Sequence, residues 1–267
     1  MVSVEQYETV KEYYKRIRAE NGGVWIIFEV SSCKKILNYL KRCNMEEFQL
    51  VLDGNVQINA LDPSHVMYIH IESFHCGLEP MQFVFNTNEV LSEFKKVEKI
   101  VNGFFYNDKT HKFEWTTSEG NVPYPYPVSD VDMLPIPDYS ASTISINSQT
   151  LLNTCKAINN IEKDSNQRRI RLKTEDYTVY GYNTHSDIDY SLKVYMDTSS
   201  QYKMDSTYDS SWLAKLLSLP IVSEELHFME GFDRKPYAED IPLVITGSSN
   251  LGVTLTFMLA PRIEEDW

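Results

Sequence analysis

Four cations on one short stretch, Lys34, Lys35, Lys41 and Arg42 in SCKKILNYLKRC, are the residues whose type and spacing most directly suggest chemistry. Lys34 with Lys41 and Lys35 with Arg42 are each seven apart, so on a helix all four share one side, and no acid interrupts them. A solvated lysine face is the usual reading of such a helix, and a net charge of −13 taken alone argues against a nucleic-acid partner, yet four like charges on one short helix make the solvated face less comfortable in so acidic a chain. A second set, Lys95, Lys96 and Lys99, is offset by Glu89, Glu93 and Glu98. His70, His75 and Cys76 are of metal-ligating types. Strand residues five apart point to opposite faces, however, and no second ligand pair follows, so no metal site is expected. Phosphate loops, nucleophile elbows and glycine-rich dinucleotide turns are absent from the sequence. Neither an enzyme nor a cofactor is expected.

These residues sit in elements that periodicity makes legible. Residues 1–23 carry Val4, Tyr7, Val10, Tyr14 and Ile17 at helical spacing, with Gly22 and Gly23 as a stop. VWIIFEV follows as a strand, and Ser31 and Ser32 offer N-caps for a helix with Cys33, Ile36, Leu37 and Leu40 on one stripe. Phe48, Leu50 and Leu52 alternate with Gln49, Val51 and Asp53, Val56, Ile58 and Ala60 alternate in turn, and Asp53-Gly54-Asn55 between them predicts a hairpin. VMYIHIESF and MQFVF read as strands, NTNEVLSEFKKVEKI as a helix, and GFFYND, KFEWTTSEG and VPYPYPVSD as a meander.

A strap from Val128 to Ser142 comes next. Pro135 and Pro137 hold Leu134 and Ile136 in extended geometry, which predicts a linker between two halves. Beyond it STISINSQTLLNTCKAINNIEK is a strand then a helix, whose stripe of Gln149, Asn153, Lys156, Asn160 and Lys163 holds no acid. Hairpins, the helix SSWLAKLLSLP with Lys215, and the strands HFMEGFD, IPLVITG and VTLTFML complete the half. Phe48–Ile58 overlays Ile170–Tyr180 at an offset of about 122, so the halves read as one unit written twice. The expected fold class is α+β: two similar domains in tandem, antiparallel sheets outside and two helices per domain on the inner face. The boundaries expected are 1–23 for a helical extension, 24–128 and 142–267 for the domains, and 129–141 for the connector.

Of the 267 residues 42% are hydrophobic, enough for a real core, and no window approaches the roughly 18 apolar residues of a membrane span. Cys33, Cys43, Cys76 and Cys155 lack disulfide spacing and read as reduced, buried residues, so a soluble intracellular protein is expected.

Two segments, NALDPSHVMYIHIE (59–72) and DIPLVITGSSNLGVTLTFMLAPRIEE (240–265), closely resemble the corresponding segments of the archaeal and eukaryotic sliding clamp, proliferating cell nuclear antigen. The resemblance covers residues 24–265 and implies the DNA-clamp fold, in a ring of three subunits that encircles duplex DNA and tethers replication and repair enzymes as a polymerase processivity factor. It turns the basic helices towards DNA, which places Lys34, Lys35, Lys41, Arg42, Lys95, Lys96, Lys99, Lys156, Lys163 and Lys215 in or near the channel, in sequence-independent, salt-sensitive contacts.

The resemblance also implies a pocket for partner peptides that end in an aromatic plug. It is formed by Leu61 and His65, by Leu134, Ile136 and Pro137 of the connector, and by Pro242, Met258, Leu259, Ala260 and Pro261. DNA polymerase, the clamp loader, flap nuclease and ligase are the partners it implies, beside the genome in cytoplasm or nucleus. The strand expected at the subunit interface departs from the pattern: Pro123, Pro125 and Pro127 remove three ladder donors from one side. Closure would then rest on side chains such as Tyr124 and Tyr126 against the mate strand with Tyr190, Leu192 and Val194. The alternative is a monomeric or dimeric clamp-like interaction protein that binds polymerase or clamp partners without closing a ring.

Overall fold

Alternating and helical periodicities in the sequence become strands and helices close to where they are expected. The computed structural model describes residues 12, 15–16, 18–27, 30–53, 55–75, 81–96, 100–126, 143–175, 178–182, 204–218, 225–230, 238–239, 242–248 and 253–262. The chain divides into two compact units: Met1–Ala60 with Glu72–Leu134, and Leu61–Ile71 with Pro135–Trp267.

In the first unit, residues 18–21 are helical and stop at Gly22, whose φ of 69° and bond from its N–H to the Arg18 carbonyl (2.9 Å) make it a left-handed C-terminal cap. Arg18 grips Asp108 with two hydrogen bonds of 2.7 Å, Nε to Oδ2 and Nη2 to Oδ1. Strand β1 (Gly23–Ile27) follows at once. A Cβ on Gly23 would lie 2.1 Å from the Tyr106 carbonyl oxygen and 2.5 Å from the Phe105 ring, so only glycine fits.

Helix α1 (Val30–Arg42) begins one residue ahead of the serines proposed as caps, which therefore lie in its first turn. Strands β2 (Glu47–Asp53) and β3 (Asn55–Leu61) form the hairpin, with Leu50 opposite Ile58. β4 (Met67–His75), of which Met67–Ile71 belong to the second unit, and β5 (Met81–Asn86) come next, the latter antiparallel to β2 with Leu50 opposite Phe83.

Helix α2 (Thr87–Lys96) is shorter than the spacing predicts. Ile100 already opens strand β6 (Ile100–Asn107), because its β-branched and aromatic run pairs with both β1 and β7 (Lys112–Thr117). β8 (Gly120–Pro123) ends the antiparallel sheet β1-β6-β7-β8. α1 packs beside α2 and on β6. The core is aromatic: Phe85, Phe104, Phe113, Trp115 and Tyr124 touch one another, and Trp115 stacks on Phe104 at 4.0 Å.

The second unit holds β9 (Thr143–Asn147), α3 (Ser148–Ile161), β10 (Arg169–Glu175), β11 (Thr178–Tyr182), β12 (Met204–Asp209) and α4 (Ser210–Leu217). They are followed by β13 (Glu225–Glu230), β14 (Ala238–Glu239), β15 (Leu243–Ser248) and β16 (Thr254–Leu259). One sheet runs β4-β16-β15-β13-β9 and the other β11-β10-β12-β14. The pair β12 and β14 is parallel, with Met204 opposite Ala238, an exception the sequence does not announce. Here β10 pairs with β12 so that Leu172 lies opposite Ser206, the positions that correspond to Leu50 and Phe83 at offsets of 122 and 123. α3 and α4 pack together over an aliphatic core that includes Leu151, Ile158, Ile170, Leu213 and Leu216.

Candidate functional site

The outer face of α1 follows from its sequence. Ile36, Leu37, Tyr39 and Leu40 are buried, so the helix must present the remainder, and Lys34, Lys35, Asn38, Lys41 and Arg42 are all exposed. The helix contains no acid, and its last turn carries Lys41 and Arg42, where the helix dipole favours cations. On α2, Lys95 is exposed, while Glu93, which balanced the lysines in sequence, is buried at 6% exposure. The Lys96 side chain and Lys99 lie outside the described residues.

In the second unit the stripe Gln149, Asn153, Lys156, Asn160 and Lys163 is exposed as its spacing requires. Gln149 Nε2 donates to Asn153 Oδ1 (2.8 Å), and Lys163 Nζ donates to the Asn160 carbonyl (3.0 Å) at the helix C-terminus. Arg168 reaches the same end, Nε to the Glu162 carbonyl at 3.0 Å. Lys215 is half-exposed, its Nζ 3.9 Å from the centre of the Trp212 ring, which keeps the ammonium near its own helix.

The LDPSHV loop is organised by one carboxylate. Asp62, 3% exposed, accepts from the N–H groups of Ser64 (3.0 Å to Oδ2), Val66 (2.7 Å to Oδ1) and Met67 (2.5 Å to Oδ1). Its carbonyl accepts from His65 N–H (2.9 Å), and His65 takes a φ of 57° that leaves its ring exposed. Leu61, at the head of the loop, packs against Tyr68, Val244 and Met258.

Met258 faces Val244 across β15 and β16 while Leu259 faces Leu243. Strand alternation puts Leu259, fully buried, on the opposite face of the sheet from Met258. Of the residues expected at a pocket, Leu61 and Met258 thus meet, and His65, Pro242, Ala260 and Pro261 are exposed or half-exposed. Ala260 N–H donates to the Val66 carbonyl (2.8 Å) and Arg262 N–H to the Thr207 carbonyl (2.8 Å). Pro261 between them has no N–H, so the tail amides are committed and carbonyl oxygen is what it can still offer. Leu134, Ile136 and Pro137 lie outside the described residues, as do Tyr190, Leu192 and Val194.

No protein-family model matches the chain, and no curated protein sequence does. Solved structures do. The PCNA2–PCNA3 complex from Sulfolobus tokodaii matches at a TM-score of 0.61 and 16% identity, over 89% of this chain and 98% of that one. Proliferating cellular nuclear antigen from Entamoeba histolytica gives 0.64 at 14% identity, over 89% and 97%. A. fulgidus PCNA with the C-terminal region of FEN-1 bound gives 0.66 at 12% identity, over 90% and 99%. The chain has the DNA-clamp fold.

Against this clamp fold the β8 edge stands out. All four of its residues are exposed, Val122 by 42%. Tyr124 N–H donates inward to the Phe113 carbonyl (2.8 Å), so Pro123, one residue earlier, has its nitrogen on the outward side with no hydrogen to give. Tyr124 itself is a core residue, 5% exposed, its hydroxyl pushed well above the usual phenol range, chiefly by burial and then by the nearby Glu89, Tyr126 and Glu93 carboxylate and phenol groups. Tyr126, half-exposed with its ring 5.4 Å from that of Tyr124, is the tyrosine of the pair left at the surface.

Two groups in the second unit are not legible in the sequence, Asp62 as the loop's organiser and Arg262 with Asp209. The Asp-x-Ser pattern of an Asx turn was the available signal for the first. For the second there was none, since Arg262 and Asp209 are 53 residues apart.

Proposed function

We propose that the chain is a DNA sliding clamp, a polymerase processivity factor that encircles duplex DNA and tethers replication and repair enzymes beside its connector. The observation that carries this is the exposed face of α1, with four cations and no acid, on a clamp-fold chain of net charge −13. Helices of such a fold set against phosphate would hold DNA by many weak contacts to backbone charge, which lets a ring slide. The acidic remainder limits adhesion elsewhere. Lys95, Lys96, Lys99, Lys156, Lys163 and Lys215 would extend the same surface. The matching offset of strand pairs in the two units supports two duplicated domains, 24–128 and 142–267, joined by a connector at 129–141.

Partner enzymes, of polymerase, clamp-loader, flap-nuclease and ligase type, would dock an aromatic-ended peptide over Leu61, His65 and Met258. Leu134, Ile136, Pro137, Pro242, Ala260 and Pro261 complete the site, and Leu259 backs it. Tethering raises the partner's local concentration at the template and asks no catalysis of the clamp. Such a protein works inside the cell, with the genome. The test is binding to a linear duplex with free ends and to the same duplex with both ends blocked. A closed ring can enter only over a free end, so encirclement predicts binding to the free-ended duplex and not to the blocked one, and equal binding to both overturns it.

A second reading, a monomeric or dimeric clamp-like interaction protein, is favoured by the β8 edge, whose outward Pro123 cannot donate to a neighbouring strand. Val122 and Tyr126 against Tyr190, Leu192 and Val194 would have to supply closure. Light scattering at micromolar concentration decides: a mass near one chain, 31.0 kDa, overturns the homotrimer and favours this reading.

A further inference from the structure

We propose that Arg262 positions the docking tail by fastening it, through Asp209, to the N-terminus of α4; the proposal rests on the docking reading above. The tail is held at two points. Ala260 N–H bonds the Val66 carbonyl of the docking loop at 2.8 Å, and Arg262 N–H bonds the Thr207 carbonyl within β12, also at 2.8 Å. The Arg262 side chain secures the second point: Nη1 donates to the Asn166 carbonyl (3.0 Å) and Nη2 pairs with Asp209 Oδ2. Arg262 and Asp209 are only 26% and 12% exposed, so solvent screens the pair little.

Asp209 does two jobs with two oxygens. While Oδ2 holds Arg262, Oδ1 accepts from the N–H groups of Ser211 (2.8 Å) and Trp212 (3.0 Å) and so caps α4. The cap is itself braced against α3. Asn159 Oδ1 accepts from the hydroxyls of Ser210 (2.6 Å) and Ser211 (3.2 Å), and its Nδ2 donates to the Ser210 carbonyl (3.3 Å). The tail's anchor is therefore the pair of helices whose lysines are proposed to face DNA. Removing the Arg262 side chain leaves the tail's second point on the backbone bond to Thr207 alone but keeps the helix cap on Oδ1, and β16 has already ended at Leu259, so the sheet is untouched. Arg262 thus acts on the docking segment rather than on folding, and links occupancy of the docking site to α4.

The experiment uses the full chain and a labelled peptide from the C-terminal region of FEN-1. Arg262→Ala is expected to weaken binding about tenfold with a melting temperature within about 2 °C of wild type. Arg262→Lys should recover part of the loss, because an ammonium keeps the charge but not the fork. Asp209→Asn, which keeps an acceptor for the cap, should match Arg262→Ala, and the double variant should be no weaker than either single one. In wild type, saturating peptide should also slow hydrogen exchange at the Ser211 and Trp212 amides, and in Arg262→Ala it should not. If wild type binds the peptide and Arg262→Ala binds it equally, or the double variant is additive, the proposal is overturned alone. If wild type binds no such peptide, the docking reading falls and the proposal with it.

Discussion

Neutralising α1 gives the most direct measurement of what its cations do. Lys34, Lys35, Lys41 and Arg42 are all exposed, and the helix keeps its buried Ile36, Leu37 and Leu40, so replacing the four by Ala removes charge without opening the core. If each cation neutralises one phosphate, each contributes about 0.9 to the slope of log K against log salt, and the four together about 3.6. Between 50 and 200 mM salt, a fourfold change, wild-type affinity for duplex DNA should therefore fall about 10²-fold more than that of the variant. Fluorescence anisotropy with a 30-base-pair duplex measures both slopes, and a duplex of shuffled sequence should give the same values because backbone charge carries no sequence. Equal slopes for wild type and variant would refute the reasoning, and a large loss of melting temperature would show that the side chains were structural.

Two further outcomes follow from the geometry. Asp62→Ala leaves the Ser64, Val66 and Met67 amides without their acceptor and should cost about 2–4 kcal/mol in urea unfolding. Asp62→Asn retains an oxygen for two of them and should cost clearly less; equal midpoints for Asp62→Ala and wild type would sink the assignment. The second concerns Asp108, whose carboxyl is held below the usual range, first by the hydrogen bonds from Arg18 and then by the charges of Arg18 and His111, with burial opposing. A folded-state value depressed in this way stabilises the fold fully above the unfolded value, about 3.9, and the contribution is lost as pH falls through the folded value. Protection of the Gly22 amide from hydrogen exchange should therefore weaken below about pH 4 in wild type. Asp108→Asn should show no such pH dependence, and a wild-type profile flat down to pH 2 would refute the link.

Much of the fold was legible because its signals are local. The stripe Ile36, Leu37, Leu40 needs only the 3.6-residue period to announce α1, and the same period placed Leu151, Leu152, Cys155 and Ile158 inside α3, where they are buried. The apolar spacing of Val97 and Ile100 predicts a longer α2, while pairing with Thr117 of β7 claims Ile100 for a strand. Local helical preference is overridden there by a neighbouring strand. The candidate surfaces divided along the same line. Exposure of the α1 cations could be read from spacing, whereas the fate of Tyr124 could not. In sequence it belongs to a proline-spaced, exposed-looking run; in the fold its ring lies among Phe85, Phe104 and Trp115.

By itself the sequence determined the periodic helices and strands and the acid-free cationic face of α1, since each depends on residues within one or two turns of chain. Only the tertiary structure decided that Leu61–Ile71 belongs with the second unit, that Met258 meets Leu61 while Leu259 faces away, and that Arg262 reaches Asp209 and Asn166. These depend on strand register and on partners 53 and 96 residues apart, where which side chain arrives is set by the packing of whole sheets and helices.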